Sequence, residues 1–284
     1  MKTSNKILIA FAAALILIPL MGMIYVSQVN YKTGSYTEEA DRVETSYKNF
    51  NIPTENMESK VIASAFESVN VEDAKRLGLY INFVEDESYG VKVPKSLKDS
   101  ISFTVDAEGI LQIAFEMNGK KNNEYTTIIV YGKDLKKLNL SNANFLYIDV
   151  TADSLNLNIK KSGSITLNKD ITLNSLKITT DEVKTVHINE VKVKSLQVEL
   201  NGADFETEKS SYDNLSLNVS GKSAILLKGS ENDGSYFIKN LVINTLNDAD
   251  FKLENIKVEK CSGSFSDQTK VQMPALNLNQ MYKK

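Results

Sequence analysis

Tryptophan is absent from this chain, and cysteine and histidine occur once each, as Cys261 and His187. One cysteine excludes an intramolecular disulfide and any thiolate-built metal site, and reads as a small side chain tucked into the interior. His187 stands between Val186 and Ile188 in an alternating run. It should face outward from a strand, where a lone imidazole is neither a triad nor a metal cluster. Arginine is confined to Arg42 and Arg76, and the net charge is −3. No basic stripe is left to neutralise phosphates, which excludes nucleic acid as a partner. With no tryptophan and 8% aromatic residues, no sugar-stacking groove shows along the chain.

What the 284 residues do contain is length enough for a sizeable core and a repeat. Leu155-Asn-Leu-Asn-Ile, Leu176-Lys-Ile-Thr-Thr, Leu196-Gln-Val-Glu-Leu, Leu215-Ser-Leu-Asn-Val and Leu241-Val-Ile-Asn-Thr follow one design. Each is trailed by a second apolar element, at Ile165, Val186, Phe205, Ile225 and Phe251. The period of about 20 residues is that of a stack of coils. Within it, apolar runs begin at Leu155, Ile165 and Ile171, and again at Leu176, Val186 and Val191. That spacing predicts three short strands per coil and a triangular section. Leu155, Leu157 and Ile159 alternate with Asn156, Asn158 and Lys160, so one strand face is dry and the other wet. Crossover helices have no room. The expected fold is therefore all-β: a single-stranded parallel β-solenoid, or β-helix, with coils of about 20 residues.

Lys161-Ser-Gly-Ser, Asn201-Gly-Ala-Asp, Ser220-Gly-Lys-Ser and Asn247-Asp-Ala-Asp fall at equivalent corners, where Gly and Asn tolerate left-handed backbone. The acidic pairs Asp204 with Glu206 and Asp248 with Asp250 lie in or beside these corners. The glycine-rich calcium repeat is missing, so they read as solvated corner groups, with no metal and no cofactor expected. The step from Leu215 to Leu241 is longer than its neighbours, and the surplus falls in Gly229-Ser-Glu-Asn-Asp-Gly-Ser-Tyr-Phe. Insertions in repeats map to loops on one face, often a binding face. Glu231, Asp233, Tyr236 and Phe237 are accordingly the candidate partner-binding loop, against the plainer reading that Phe237 tucks into the core.

The amino-terminal half is less regular. Residues 1–6 form a short head carrying Lys2 and Lys6. Residues 7–27 open with an uncharged run, Ile7 to Val26, long enough for a transmembrane helix that keeps the head in the cytoplasm. The expected signal-anchor has a competing reading, a cleaved signal peptide, and both export the rest. Residues 28–59 read as a polar spacer, 60–131 as an irregular strand-rich cap, and 132–268 as regular coils within a domain that runs to residue 284.

Phe66-Glu-Ser-Val-Asn-Val, Ile128-Ile-Val-Tyr-Gly-Lys-Asp-Leu-Lys-Lys-Leu-Asn-Leu and the repeated Leu-x-Leu/Val-x-Leu/Val units with Ser-Gly or Asn-Gly corners carry a resemblance. Over about residues 61–268 the chain resembles the putative auto-transporter adhesin, head GIN domain family, although its corners hold fewer glycines. The resemblance implies an adhesin-like β-solenoid exported to the envelope of a Gram-negative cell, with no catalytic residues to carry over. The resulting expectation is a membrane-anchored, extracytoplasmic structural or interaction module that is not an enzyme. It would be a single-pass inner-membrane protein with its carboxyl-terminal domain in the periplasm, or a secreted or cell-surface protein if the leader is cleaved. Its partners would be the membrane, through residues 7–27, and an unknown envelope protein or glycan. The alternatives from other classes are a carbohydrate-active β-helix enzyme and an envelope signalling partner.

Overall fold

The computed structural model describes residues 3, 6, 15, 17–21, 23, 47–116, 125–169, 171–231 and 234–282. The chain forms two compact units, Met1–Ser46 and Tyr47–Lys284. The second begins with β1 (Met57–Val61), β2 (Ser68–Val71), β3 (Gly78–Glu85), β4 (Gly90–Pro94), β5 (Ile101–Val105), β6 (Ile110–Phe115) and β7 (Tyr125–Gly132). A regular series follows: β8 (Lys137–Ser141), β9 (Phe145–Val150), β10 (Ser154–Lys160), β11 (Ser164–Leu167), β12 (Thr172–Asp181), β13 (Thr185–Asn189) and β14 (Lys192–Asn201). It continues with β15 (Asp204–Glu208), β16 (Tyr212–Ser220), β17 (Ser223–Lys228), β18 (Phe237–Thr245), β19 (Ala249–Glu254), β20 (Lys257–Ser264) and β21 (Thr269–Gln272), and ends in helix α1 (Ala275–Tyr282).

These strands make two sheets. Sheet 1 has 11 strands in the order β1-β4-β7-β3-β9-β11-β13-β15-β17-β19-β21. Sheet 2 has 10, in the order β20-β18-β16-β14-β12-β10-β8-β2-β6-β5. From β8 onward the chain alternates between the sheets, so each new strand lies parallel to the one two places earlier. The inward side chains of both sheets merge into one continuous core.

This corrects the expected single-stranded parallel β-solenoid. Both sheets are mixed, because β1 with β4, β4 with β7, and β5 with β6 pair antiparallel. There are two strands per repeat, not three. The runs at Ile171 and Val191 were expected to be strands of their own; instead they lead into the front of β12 and β14. The physical reason is a bulge. Asn174 and Ser175 are both exposed, and their N–H groups both donate to the Asp153 carbonyl, at 2.9 and 3.1 Å. One inserted residue bends the strand and resets its facing without ending the ladder, which resumes with Ser175 opposite Ser195. A corner in the pattern is thus a bend within a strand.

The expected transmembrane helix is corrected as well: among the described residues no helix is long and apolar enough to cross a membrane. Most of residues 7–27, on which that expectation rested, lie outside the described residues.

The apolar rows themselves are well formed. Leu155, Leu176, Leu196, Leu215, Leu241 and Cys261 stand opposite one another across six strands of sheet 2. Ile165, Val186, Phe205, Ile225 and Phe251 do the same in sheet 1. Leu138, by contrast, pairs with Leu157 and not with Leu155. The residues directly after β8, β10, β12, β14 and β16 are Asn142, Lys161, Glu182, Gly202 and Gly221, and all have φ between 48° and 72°. Lys161 and Glu182 hold this conformation, so the corners require left-handed backbone more than they require glycine. Gly221 is the stricter case, since a Cβ there would sit 2.8 Å from the Gly202 nitrogen.

A second, smaller core lies on the outer face of sheet 1. Phe50 covers Ile129 and Tyr131 there. The Tyr131 hydroxyl donates to the Tyr47 carbonyl at 2.9 Å, and the Phe50 N–H donates to Asp86 Oδ2 at 2.9 Å. Lys92, fully buried, donates to the carbonyls of Asn49 and Ile52, at 3.0 and 2.7 Å, and to Thr54 Oγ1 at 3.2 Å. Burial draws its pKa down, and the nearby Asp86 carboxylate opposes that shift.

Candidate functional site

Beside this covered strip, the outer face of sheet 1 carries aromatic side chains that the core does not use. Tyr80 on β3 stands opposite Tyr147 on β9, and their rings stack with centroids 4.8 Å apart and planes 5° from parallel. Tyr125, at the start of β7, meets Tyr80 edge-on at 6.0 Å. Phe145 meets Tyr80 at 5.8 Å and Tyr147 at 5.5 Å, both edge-on. Gly78 makes this packing possible. It lies opposite both Tyr125 and Phe145, and a Cβ on it would stand 2.1 Å from the Phe145 ring. Phe145 thus fills the space above a glycine in a strand, a structural role. Tyr125 is different: it is 59% exposed at the margin of the cluster.

Polar groups surround the rings. Asn82 and Asp149 pair one step further along the same strands. On the other side Thr166 stands opposite Tyr147, and His187 opposite Thr166. His187 faces outward, and its Nδ1 lies 3.2 Å from Glu206 Oε2. The face presents stacked phenols, then a hydroxyl, then an imidazole with a carboxylate, at strand spacings of about 4.8 Å. Such a surface can hold a ligand with an apolar face and a hydrogen-bonding rim.

Shallow grooves lie elsewhere among the described residues, two of them along sheet 2. One of about 380 Å³ runs along the ends of the sheet 2 strands, over Thr180, Leu200 and Val219, with the exposed Leu246 beside it. The other, about 400 Å³, runs along the starts of those strands past Leu173, Val193, Tyr212 and Phe237. The first has Glu199 as the single charged residue in its lining, whereas the second is bordered by Lys192, Lys194 and Asp213.

The loop singled out from the sequence is placed as follows. Glu231 is exposed, and Asp233 lies outside the described residues. Tyr236 is half-buried and packs against the main core. Phe237 is half-buried and opens β18; its N–H donates to Ser211 Oγ at 3.2 Å, and Lys239 Nζ sits 5.7 Å from its ring centre. The acidic residues near the corners are separate from one another in role. Asp204 Oδ1 accepts the Ala224 N–H at 2.8 Å, Glu206 meets His187, and the Asp248 carbonyl accepts the Ser223 N–H at 3.3 Å. Among the described residues no group of three or more His, Cys, Asp or Glu could hold a metal ion.

Sequence reasoning missed the aromatic cluster because its members lie far apart in the chain. A partial signal was present in Phe145-Leu-Tyr-Ile, where the two aromatic residues take alternate positions opposite the core-facing Leu146 and Ile148.

The family described as "Putative auto-transporter adhesin, head GIN domain" matches residues 65–232, more than half of the chain. The chain belongs to that family. The head GIN match takes in β3, β7 and β9, and so the whole aromatic cluster, and stops within the loop before β18. The name of the family points to an extracytoplasmic or surface protein. Solved structures to which this head GIN chain is similar include a "putative lipid binding protein" from Parabacteroides distasonis, 17% identical, with a TM-score of 0.47, covering 79% of this chain and 95% of that one. A "putative adhesin" from Bacteroides fragilis is 11% identical, with a TM-score of 0.45, covering 75% of this chain and 96% of that one. Another from Parabacteroides merdae is 12% identical, with a TM-score of 0.40, covering 79% and 95%. No curated protein matches the chain.

Proposed function

We propose that this protein is a non-catalytic, extracytoplasmic binding module of the cell envelope, and that the aromatic face of sheet 1 is its binding surface for an envelope glycan. The observation that carries the reading is the gathering of Tyr80, Tyr125, Phe145 and Tyr147 on a solvent-facing sheet. Core formation does not require aromatic residues there, and Phe145 alone is accounted for by Gly78. A pyranose offers an apolar C–H face and a rim of hydroxyls. That complements ring surface bordered by Thr166, Asn82 and Asp149 better than a protein interface would, since such an interface needs a broad apolar centre. The family supports an adhesive role. The uncharged run from Ile7 to Val26, preceded by Lys2 and Lys6, supports export of the folded part into the periplasm or beyond it.

Binding of the full chain to immobilised envelope polysaccharide tests this. Tyr125→Ala, at an exposed position, should leave the melting temperature nearly unchanged and weaken binding tenfold or more, and Tyr80→Ala should weaken it further. Unchanged binding in both variants, or capture by envelope proteins alone, would refute the glycan assignment.

A further inference from the structure

The carboxyl-terminal helix holds the edge of sheet 2 in an unusual way. β20 is the last strand of that sheet, and its outer backbone groups would be open to pairing. Side-chain amides of α1 occupy them instead. Gln280 Oε1 accepts the Cys261 N–H at 2.9 Å, Gln280 Nε2 donates to the Glu259 carbonyl at 3.0 Å, and Asn277 Nδ2 donates to the Val258 carbonyl at 3.1 Å. These two side chains reproduce the donors and acceptors of an incoming strand. The helix itself is one of eight residues, with Asn277 its single buried residue and Leu276 and Tyr282 exposed.

The residues under this cap are self-complementary. β20 is bulged, so that Val258 and Cys261 both point to the core while Glu259 and Lys260 between them are exposed. Turned antiparallel against a second copy about the point between Glu259 and Lys260, the strand sets Val258 opposite Cys261 and Glu259 opposite Lys260, twice over. Core-facing residues then meet core-facing residues, and opposite charges meet across the pair. The cap's hydrogen bonds fall at the centre of that register. β21, the last strand of sheet 1, comes directly after β20 and lies at the same end of the stack.

We propose that α1 is a removable cap, and that when it leaves, β20 pairs antiparallel with β20 of a second copy of this chain to give a closed two-fold dimer. An isologous contact of this kind ends at two copies, whereas a head-to-tail edge contact would grow into a fibre.

The test uses the full chain, with Val258→Cys added to Asn277→Leu and Gln280→Leu. Cys261 is the only native cysteine. In the proposed register an introduced cysteine at 258 faces Cys261 of the other copy, so mild oxidation should give a covalent dimer on a non-reducing gel. Val258→Cys with the cap intact should give at least tenfold less. A folded, protease-resistant triple variant that yields no dimer overturns the proposal, as does a ladder of higher multimers. If the triple variant does not fold, hydrogen exchange on the unaltered chain decides. The Cys261 amide should exchange at least a hundredfold faster than the Ile243 amide of the adjoining strand, and equal protection of the two would overturn the removable cap.

Discussion

Thr207 and Tyr212 share a hydrogen bond of 2.6 Å inside the core, tying β15 of sheet 1 to β16 of sheet 2. Thr207 stands in an inward row between Ile188 and Leu227, where the pattern calls for an apolar residue. Tyr212→Phe would leave the buried Thr207 hydroxyl without this partner, at about 1–3 kcal/mol. Thr207→Val should cost less, because the Tyr212 phenol also engages Ser210. The double variant should be nearly as stable as the original, since removing both partners removes the orphan. Denaturant melts of the four chains measure the coupling.

The strand facing of β14 makes a second prediction. Val198 is fully buried and Gln197 is exposed. Val198→Asp should cost about 3–5 kcal/mol by burying an unpaired carboxylate. Gln197→Asp, at an exposed position, should cost far less, about 0.5 kcal/mol, as it loses only the exposed hydrogen bond from the Gln197 amide to Glu199 and sets a second carboxylate beside the Lys177–Glu199 pair. Equal losses in urea melts would contradict the register.

Alkaline pH should weaken the fold in a defined window. Burial pushes the Cys261 thiol from 9.0 up to about 11. It pushes the Tyr212 phenol from 10.0 up to about 12, with the Thr207 and Ser210 hydrogen bonds opposing the shift. Both groups are held neutral in the fold, so their contribution is complete below the unfolded values and is lost as the pH climbs through the folded ones. The melting temperature should therefore be insensitive to these groups below about pH 9 and fall between about pH 9 and 12. Cys261→Ala should delay the onset of that fall. At pH 8 the native thiol should resist alkylation and react only on unfolding.

Lys92 should govern the segment that crosses the outer face of sheet 1. Its ammonium supplies hydrogen bonds to Asn49, Ile52 and Thr54 from a fully buried position above the Tyr131 ring, 5.0 Å from the ring centre. Lys92→Met would keep the volume and remove these donors, at about 2–4 kcal/mol if one or two charged hydrogen bonds of 1.5–3 kcal/mol each are lost in net. Limited proteolysis should then cut between residues 47 and 56 before the rest of the unit is attacked. Simultaneous cleavage throughout would show that the segment is not held separately.

How much of this was legible beforehand depends on the range of the interaction involved. The alternation of Leu155, Leu157 and Ile159 with polar neighbours, the row from Leu155 to Leu241 and the left-handed glycine corners at Gly202 and Gly221 are local, since side-chain direction in a strand follows from the residue's own backbone; the corner at Asn247 holds no left-handed residue. Family membership was legible for the same reason, because the motifs repeat along the chain. The number of sheets was not. A doubled bond to the Asp153 carbonyl turns an expected corner into a bend, and one extra residue of that kind looks the same in sequence as a turn. Pairing partners were equally hidden: Leu138 chooses Leu157, and β4 runs against β7, through hydrogen bonds between segments that carry no mark of each other. The candidate site belongs wholly to this second class. Tyr80, Tyr125, Phe145 and Tyr147 come from three strands, and only the sheet order β7-β3-β9 puts them on one face. The sequence by itself determined which residues point inward and the spacing of the rows. Tertiary structure alone decided which rows meet, and so where a ligand can be held.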